Sequence, residues 1–259
     1  MSASTYDTDL VIPFRYRGPA RSGNGGYSAG LVAERVQPRG DEAPVVQVTL
    51  RRPPPLDLTM SVRQLAPDTG GEPATVLLMG DDRVAEARLV DADLDPVEAV
   101  PSRLANEAMA RFPGLVSHPF PTCFVCGTDR PEGDGLRIFP GEVGPDRVAS
   151  LWVPHPDLAE STDLRDLQEQ RVGVATTWAA LDCVGGWAGD MTERWMVLGR
   201  ITAQVDALPV VGEPHVVVGA ARGGEGRKTF TASTLYDSDG RIVARAEHVW
   251  IAVDPDAFN

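Results

Sequence analysis

Cysteine is scarce in these 259 residues: there are three, an odd number, which argues against a secreted disulfide framework. Basic residues are outnumbered, with 24 Lys and Arg against 37 Asp and Glu. The formal net charge of −13 argues against nucleic acid as a partner. No run approaches the roughly 18 apolar residues of a membrane span, and no signal-peptide pattern opens the chain. The expectation is a cytoplasmic protein without a membrane segment. What is present is an ordinary globular composition, 42% hydrophobic, in a chain long enough for one large domain or two small ones.

The most apolar stretch is residues 173–188, GVATTWAALDCVGGWA. Val174, Trp178, Leu181, Gly185 and Ala188 recur at helical spacing with no proline among them, which predicts a helix. Almost every position is apolar, so the helix should be buried on most sides. One carboxylate, Asp182, lies inside it. Burial penalises a carboxylate that lacks partners and raises its pKa. On the residues alone two readings stay open: a structural acid bonded to nearby backbone, or a functional one.

A short arm joins the fold at Leu10, Val11 and Ile12, and a glycine-rich turn at 21–26 leads into a predicted helix over 27–36. Strands are predicted at 45–52, 58–65, 74–78 and 83–90. Pro53, Pro54 and Pro55 break the first, and Gly80, Asp81 and Asp82 turn the last pair. The order then returns. After the 173–188 helix come predicted strands at 197–205, 215–221, 228–236 and 241–253, the last two a hairpin across 237–240. RVAEA at 83–87 also echoes RIVARA at 241–246. Self-similarity on this scale predicts a duplicated α+β domain. Between the copies, Pro101 and the spacing of Val100, Leu104, Ala108 and Phe112 predict a connecting surface helix. The expected division is an N-terminal unit at 1–98, a linker at 99–117 and a C-terminal unit at 118–259.

The run from Gly173 through Leu181-Asp182 to Gly185-Gly186 resembles the central helix of hotdog-fold thioesterases related to phenylacetyl-CoA pathway enzymes. Cys123-Phe124-Val125-Cys126-Gly127, followed by Gly135-Leu136, is similar to a segment that precedes the first strand in many actinobacterial hotdog proteins. The resemblance covers most of the chain, and the second half carries its more specific motifs. It implies a tandem double hotdog, each half an antiparallel sheet wrapped around a central helix. It also implies an acyl-CoA thioesterase that uses no metal or organic cofactor and assembles as a homodimer. In the family, a glycine N–H at a helix start binds the thioester carbonyl, and a carboxylate acts as general base or nucleophile. The two commonly come from different protomers. A helix N-terminus suits that task, because its free N–H groups and positive dipole end favour a developing oxyanion.

Carried onto these residues, the resemblance implies that Asp182 faces the start of the first helix. Gly25 and Gly26 then supply N–H donors and Asn24 positions carbonyl or water. A reciprocal site would pair Gly173 with Glu34, flanked by Gln168, Gln170 and Arg171, and Trp178 is expected against substrate. The polar stretch 160–170 is expected to cover the entrance. Gly223-Gly224-Glu225-Gly226 with Arg222, Arg227 and Lys228 suits the phosphates of CoA, or is an ordinary hairpin bend with solvated cations.

Other constellations compete. Gly26-Tyr27-Ser28-Ala29-Gly30 is a literal G-x-S-x-G, with Asp206 and His248 following in α/β-hydrolase order. A nucleophile elbow must follow a buried strand, and residues 17–25 cannot form one. Cys123 and Cys126 make a lone CxxC. A structural zinc site wants four ligands, which His118 and Cys183 would complete only if folding brought them together. Packed, reduced cysteines are the expectation taken here. Beside hydrolysis, a non-catalytic acyl-CoA binder remains open. A hydratase is less favoured, since no histidine flanks either central helix.

Overall fold

A computed structural model describes residues 8–38, 43–66, 73–160 and 170–255. The first half comprises β1 (Thr8–Leu10), α1 (Gly25–Ala33), β2 (Val45–Leu50), β3 (Met60–Leu65), β4 (Ala74–Met79) and β5 (Asp82–Leu89). Next comes α2 (Ser102–Met109). The second half comprises β6 (Gly141–Gly144), β7 (Arg147–Trp152), α3 (Val174–Ala188), β8 (Met196–Val205), β9 (His215–Glu225), β10 (Lys228–Tyr236) and β11 (Ile242–Ala252). All eleven strands form one antiparallel sheet in the order β1-β3-β4-β5-β2-β8-β11-β10-β9-β7-β6.

Read outward from the β2–β8 seam, both halves run first strand, fourth, third, second, and then the strand that precedes the helix. The chain repeats one topology on either side of that seam. Across it Val46 pairs with Ala203 and Val48 with Ile201. All four side chains are buried and belong to the main core. The alternation that sequence shows in these strands is therefore the inner face of one continuous sheet.

Two helices fill the concave side, and they lie against each other. α1 runs beside α3 in the opposite sense, with Gly26 and Gly30 one turn apart at the contact. A Cβ on Gly30 would stand 2.6 Å from the Ala175 Cα. One on Gly26 would stand 2.5 Å from the Asp182 Cβ. Glycine is used here because nothing larger permits the approach. Both helices are apolar on all sides, as fits burial between a sheet and a second helix.

Boundaries moved where local bonding differs from periodicity. α1 starts at Gly25 because the Asn24 side chain accepts the Tyr27 N–H at 2.8 Å and fixes the N-terminus there. α3 starts at Val174, with Gly173 as its N-cap. The connecting helix α2 lies on β6 and β7. It buries Ala105 and Ala108, and Leu104 is only partly covered, because the Ala108 carbonyl sits directly over Gly141. Among the described residues no helix is long and apolar enough to cross a membrane.

His248 of β11 is buried on the inner face of the sheet. Its Nδ1 lies 3.2 Å from Thr231 Oγ1, which also accepts the Trp250 indole N–H at 3.0 Å. Burial pushes the pKa of His248 down to about 4.

Two outcomes follow for stability. Alanine normally gains about 1 kcal/mol over glycine inside a helix. At Gly30 the collision with Ala175 outweighs that, so Gly30→Ala should lower unfolding free energy by about 1–3 kcal/mol in denaturant titration. The folded-state pKa of His248 lies below the unfolded value near 6.5. Its contribution is therefore full above pH 6.5 and is lost as pH falls toward 4, by up to about 3 kcal/mol. His215, also pushed down by burial, adds in the same direction. In His248→Gln the fall in stability across that window should be much shallower; an unchanged slope would contradict this account.

Candidate functional site

The crossing of α1 and α3 carries Asp182 to the N-terminus of α1. Its Oδ2 accepts the Gly26 N–H at 2.8 Å and the Asn24 Nδ2–H at 2.9 Å. Asn24 therefore caps α1 through Oδ1 and holds the acid of α3 through Nδ2. The first four N–H groups of a helix have no intrahelical partner of the usual kind. Here Asn24 gives its N–H to the Tyr16 carbonyl, Gly26 to Asp182 and Tyr27 to the Asn24 side chain. The Gly25 N–H donates to no group among the described residues.

Asp182 is 2% exposed, and its second oxygen, Oδ1, is buried with no partner among the described residues. Burial pushes the carboxyl up to about 7. The Gly26 N–H and the Asn24 amide pull the other way, while the nearby Cys123 sulfur adds to the rise. The group is thus a carboxyl with one oxygen saturated and one available, beside a helix N-terminus with one donor to spare.

Asp182 and Gly25 both line a cavity of about 190 Å³. Asn24, Gly25, Asp182 and the three cysteines line its polar side, and Leu198, Met196, Trp250 and Ile251 its apolar side. Arg51 and Arg52 stand at its rim, paired with Glu86 at 3.4 Å and Asp82 at 2.8 Å. Sequence reasoning passed over both arginines. They end a strand before three prolines, and nothing local places that strand end beside Asp182.

Cys183 comes to Cys123 and Cys126, with the three sulfurs within 4.8 Å of one another. His118 does not join them. Its Nε2–H donates to the Cys126 carbonyl at 3.0 Å and its Nδ1 accepts the Phe120 N–H at 2.9 Å, so both ring nitrogens are spent on backbone.

The reciprocal end repeats the arrangement in part. Glu34, at the C-terminus of α1, accepts the Ala175 N–H at 3.0 Å. Gly26 and Ala175 are each the second residue of their helix, so each helix receives an acid from the other at an equivalent place. Burial raises the pKa of Glu34, against the Ala175 N–H and Arg35. Its other oxygen lies 3.7 Å from Arg35, and the side chain is partly open. Glu34, Val174 and Trp178 line a separate cavity of about 370 Å³, so Trp178 faces the Glu34 end and not Asp182.

Gly173 forms the N-cap of α3 there, with Glu160 side-chain oxygens against it. Gln168 and the rest of 161–169, expected over the entrance, lie outside the described residues. Gln170 and Arg171 sit instead beside the strand connection at 208–211, where Arg171 donates to the Leu208 carbonyl at 2.6 Å.

Arg222, Arg227 and Lys228 do not line the Asp182 cavity. Arg222 stands in a polar recess with Thr202 and Glu247. The Arg227 guanidinium donates twice to the Ala252 carbonyl. Lys228 pairs across strands with Ile251, a wall of the cavity, so this turn borders the site from outside. Ser28 is the fourth residue of α1, not an elbow after a strand, and its hydroxyl donates to the Asn24 carbonyl at 2.7 Å. His248 bonds to Thr231, and Asp206 lines the Glu34 cavity, so the hydrolase-like triad is not assembled.

No family model and no curated protein matches the sequence. Solved structures do match in fold. An acyl-CoA thioesterase II, TesB2, from Mycobacterium marinum aligns at 10% identity over 97% of this chain and 94% of its own, with a TM-score of 0.59. A tesB protein of Mycobacterium avium subsp. paratuberculosis aligns at 14% identity over 96% and 93%, also at 0.59. A protein of unknown function with a hotdog fold from Alicyclobacillus acidocaldarius aligns at 13% over 98% and 96%, at 0.56. At such identities the likeness is one of fold. Because the matches run the whole length and the sheet topology repeats about one seam, the chain is a tandem double hotdog.

Proposed function

We propose that the chain hydrolyses an acyl thioester, of the acyl-CoA class, in the cavity beneath the N-terminus of α1. One observation carries this reading: a buried carboxyl with an oxygen unpartnered among the described residues shares that cavity with Gly25, whose helix-initial N–H donates to none of them. Asp182 Oδ1 takes the proton of a water as the water oxygen attacks the thioester carbonyl. The oxyanion that develops is held by the Gly25 N–H and the positive end of α1. When the tetrahedral intermediate collapses, the C–S bond breaks and the proton held on Asp182 passes to the leaving sulfur. Asn24 and the Gly26 N–H keep Oδ2 occupied, so the carboxyl presents Oδ1.

The chemistry uses the Asp182 end only. Glu34 has Ala175 on one oxygen and Arg35 beside the other, leaving no free basic atom of the kind Asp182 has. No histidine lines the Asp182 cavity, which weighs against hydratase chemistry. The acyl-CoA nucleotide has two candidate holds: Arg51 and Arg52 at the rim, and Arg227 with Lys228 beyond Ile251. The rim pair is favoured because it lines the cavity itself.

With a panel of acyl-CoA substrates assayed for free thiol, Asp182→Asn should reduce turnover by about 10² or more. Ser28→Ala and Glu34→Gln should leave it within a few-fold. Loss of activity in Ser28→Ala with Asp182→Asn intact would overturn the mechanism. Binding of acyl-CoA without turnover of any chain length would make the protein a binder.

Removing the nucleotide hold should raise KM with little change in kcat, the pattern of lost uniform binding. Arg51→Ala with Arg52→Ala is expected to have that effect for acyl-CoA and not for acyl-pantetheine, which lacks the nucleotide phosphates. The same result from Arg227→Ala with Lys228→Ala alone would move the nucleotide to the β9–β10 turn.

A further inference from the structure

We propose that Cys123, Cys126 and Cys183 form a thiolate site for one zinc ion, with its fourth position opening into the Asp182 cavity. Sequence reasoning left these residues as packed thiols, because a CxxC alone supplies two ligands and His118 and Cys183 would complete the set only if folding brought them together. Folding supplies the third from α3. The Cys123 and Cys183 sulfurs are 3.6 Å apart, and all three lie within 4.8 Å. Tetrahedral zinc with Zn–S bonds of about 2.3 Å sets its sulfurs about 3.8 Å apart, so small side-chain adjustments suffice. All three cysteines are free and buried, and all three line the cavity, which gives an ion a route in and a solvent-side position.

Hydrogen-bond donors face the sulfurs. The Asn24 amide points at Cys123 and Cys183, 3.9 and 3.8 Å away. The Trp187 indole N–H is buried without an oxygen partner and lies beside Cys126.

The CxxC turn is also held rigidly. Gly127 N–H donates to the Cys123 carbonyl at 2.9 Å, and a Cβ at Gly127 would collide with that same backbone. The Arg130 side chain is buried beneath the turn and donates to the Thr122 and Arg15 carbonyls and to Asp134. Phe124 donates to the Arg17 carbonyl, and Leu136 and Ile138 donate to Phe124 and Val125. Ligands fixed in this way before binding lose little freedom when an ion arrives.

The test uses binding and not activity, so it is independent of the hydrolytic reading. Tag-free, fully reduced protein, stripped with chelator, is titrated with zinc against a chromophoric competitor and separately with cobalt. The expected result is one zinc per chain, a cobalt spectrum with thiolate-to-metal charge-transfer bands, and a zinc-dependent rise in Tm. Cys126→Ser should weaken zinc binding by about 100-fold or more, at least as much as loss of an outer-shell partner commonly does. If that variant does not fold, the wild-type cobalt spectrum decides alone. Cobalt taken up without thiolate bands, zinc bound no better than by a folded Cys126→Ser, or a reduced protein that forms only a Cys123–Cys183 disulfide on mild oxidation would each overturn the proposal.

Discussion

The crossing of α1 and α3 is the constraint on which the rest depends. Placing a carboxyl between two apolar helices is costly unless donors meet it, and here the donors are the N-terminus of the opposing helix and the residue that caps it. That arrangement works at one separation only. Gly26 and Gly30 set it, since a methyl group at either would strike Asp182 or Ala175. The two helices in turn fix how the halves of the sheet join, because each helix lies on the inner face and the seam at β2–β8 runs beneath them both.

Duplication accounts for the symmetry of the acids, and divergence for their difference. Asp182 and Glu34 each cap the other helix at its second residue. The Asp182 end shares its cavity with Cys123, Cys126 and Cys183, whose sulfurs come together there. The Glu34 end opens beside Arg35 and a wider apolar recess. The same motif thus yields a sequestered carboxyl with a spare oxygen at one end and an ordinary ion-paired helix cap at the other.

Much of this was legible before folding. Asp182 stood out as a lone acid in an apolar helix, and Asn24-Gly25-Gly26 as a flexible start to another. Eight of the eleven strands among the described residues followed from alternation and from their prolines and glycines, within four residues at their ends, while β1, β6 and β7 were not read as strands. Local pattern without context carried less. G-x-S-x-G matched a nucleophile elbow in letters, yet Ser28 is packed inside α1 with its hydroxyl on the Asn24 carbonyl. Leu104 had the spacing of a buried face, yet α2 is pressed down through its alanines because Gly141 lets its backbone come close.

The sequence by itself determined most of the segments that become helix and strand, that the halves repeat, and which acid is forced out of water, because periodicity and composition are read along the chain. Only the tertiary structure decided what that acid meets. Asn24 and Asp182 are 158 residues apart, and so are drawn together by the fold alone. The same holds for Cys183 beside Cys123, sixty residues away, and for Arg51 and Arg52 at the rim of the cavity. Contacts of that range depend on the register of strands and the separation of two helices. Those are set by the packing of every buried side chain at once, and no local run of residues encodes them.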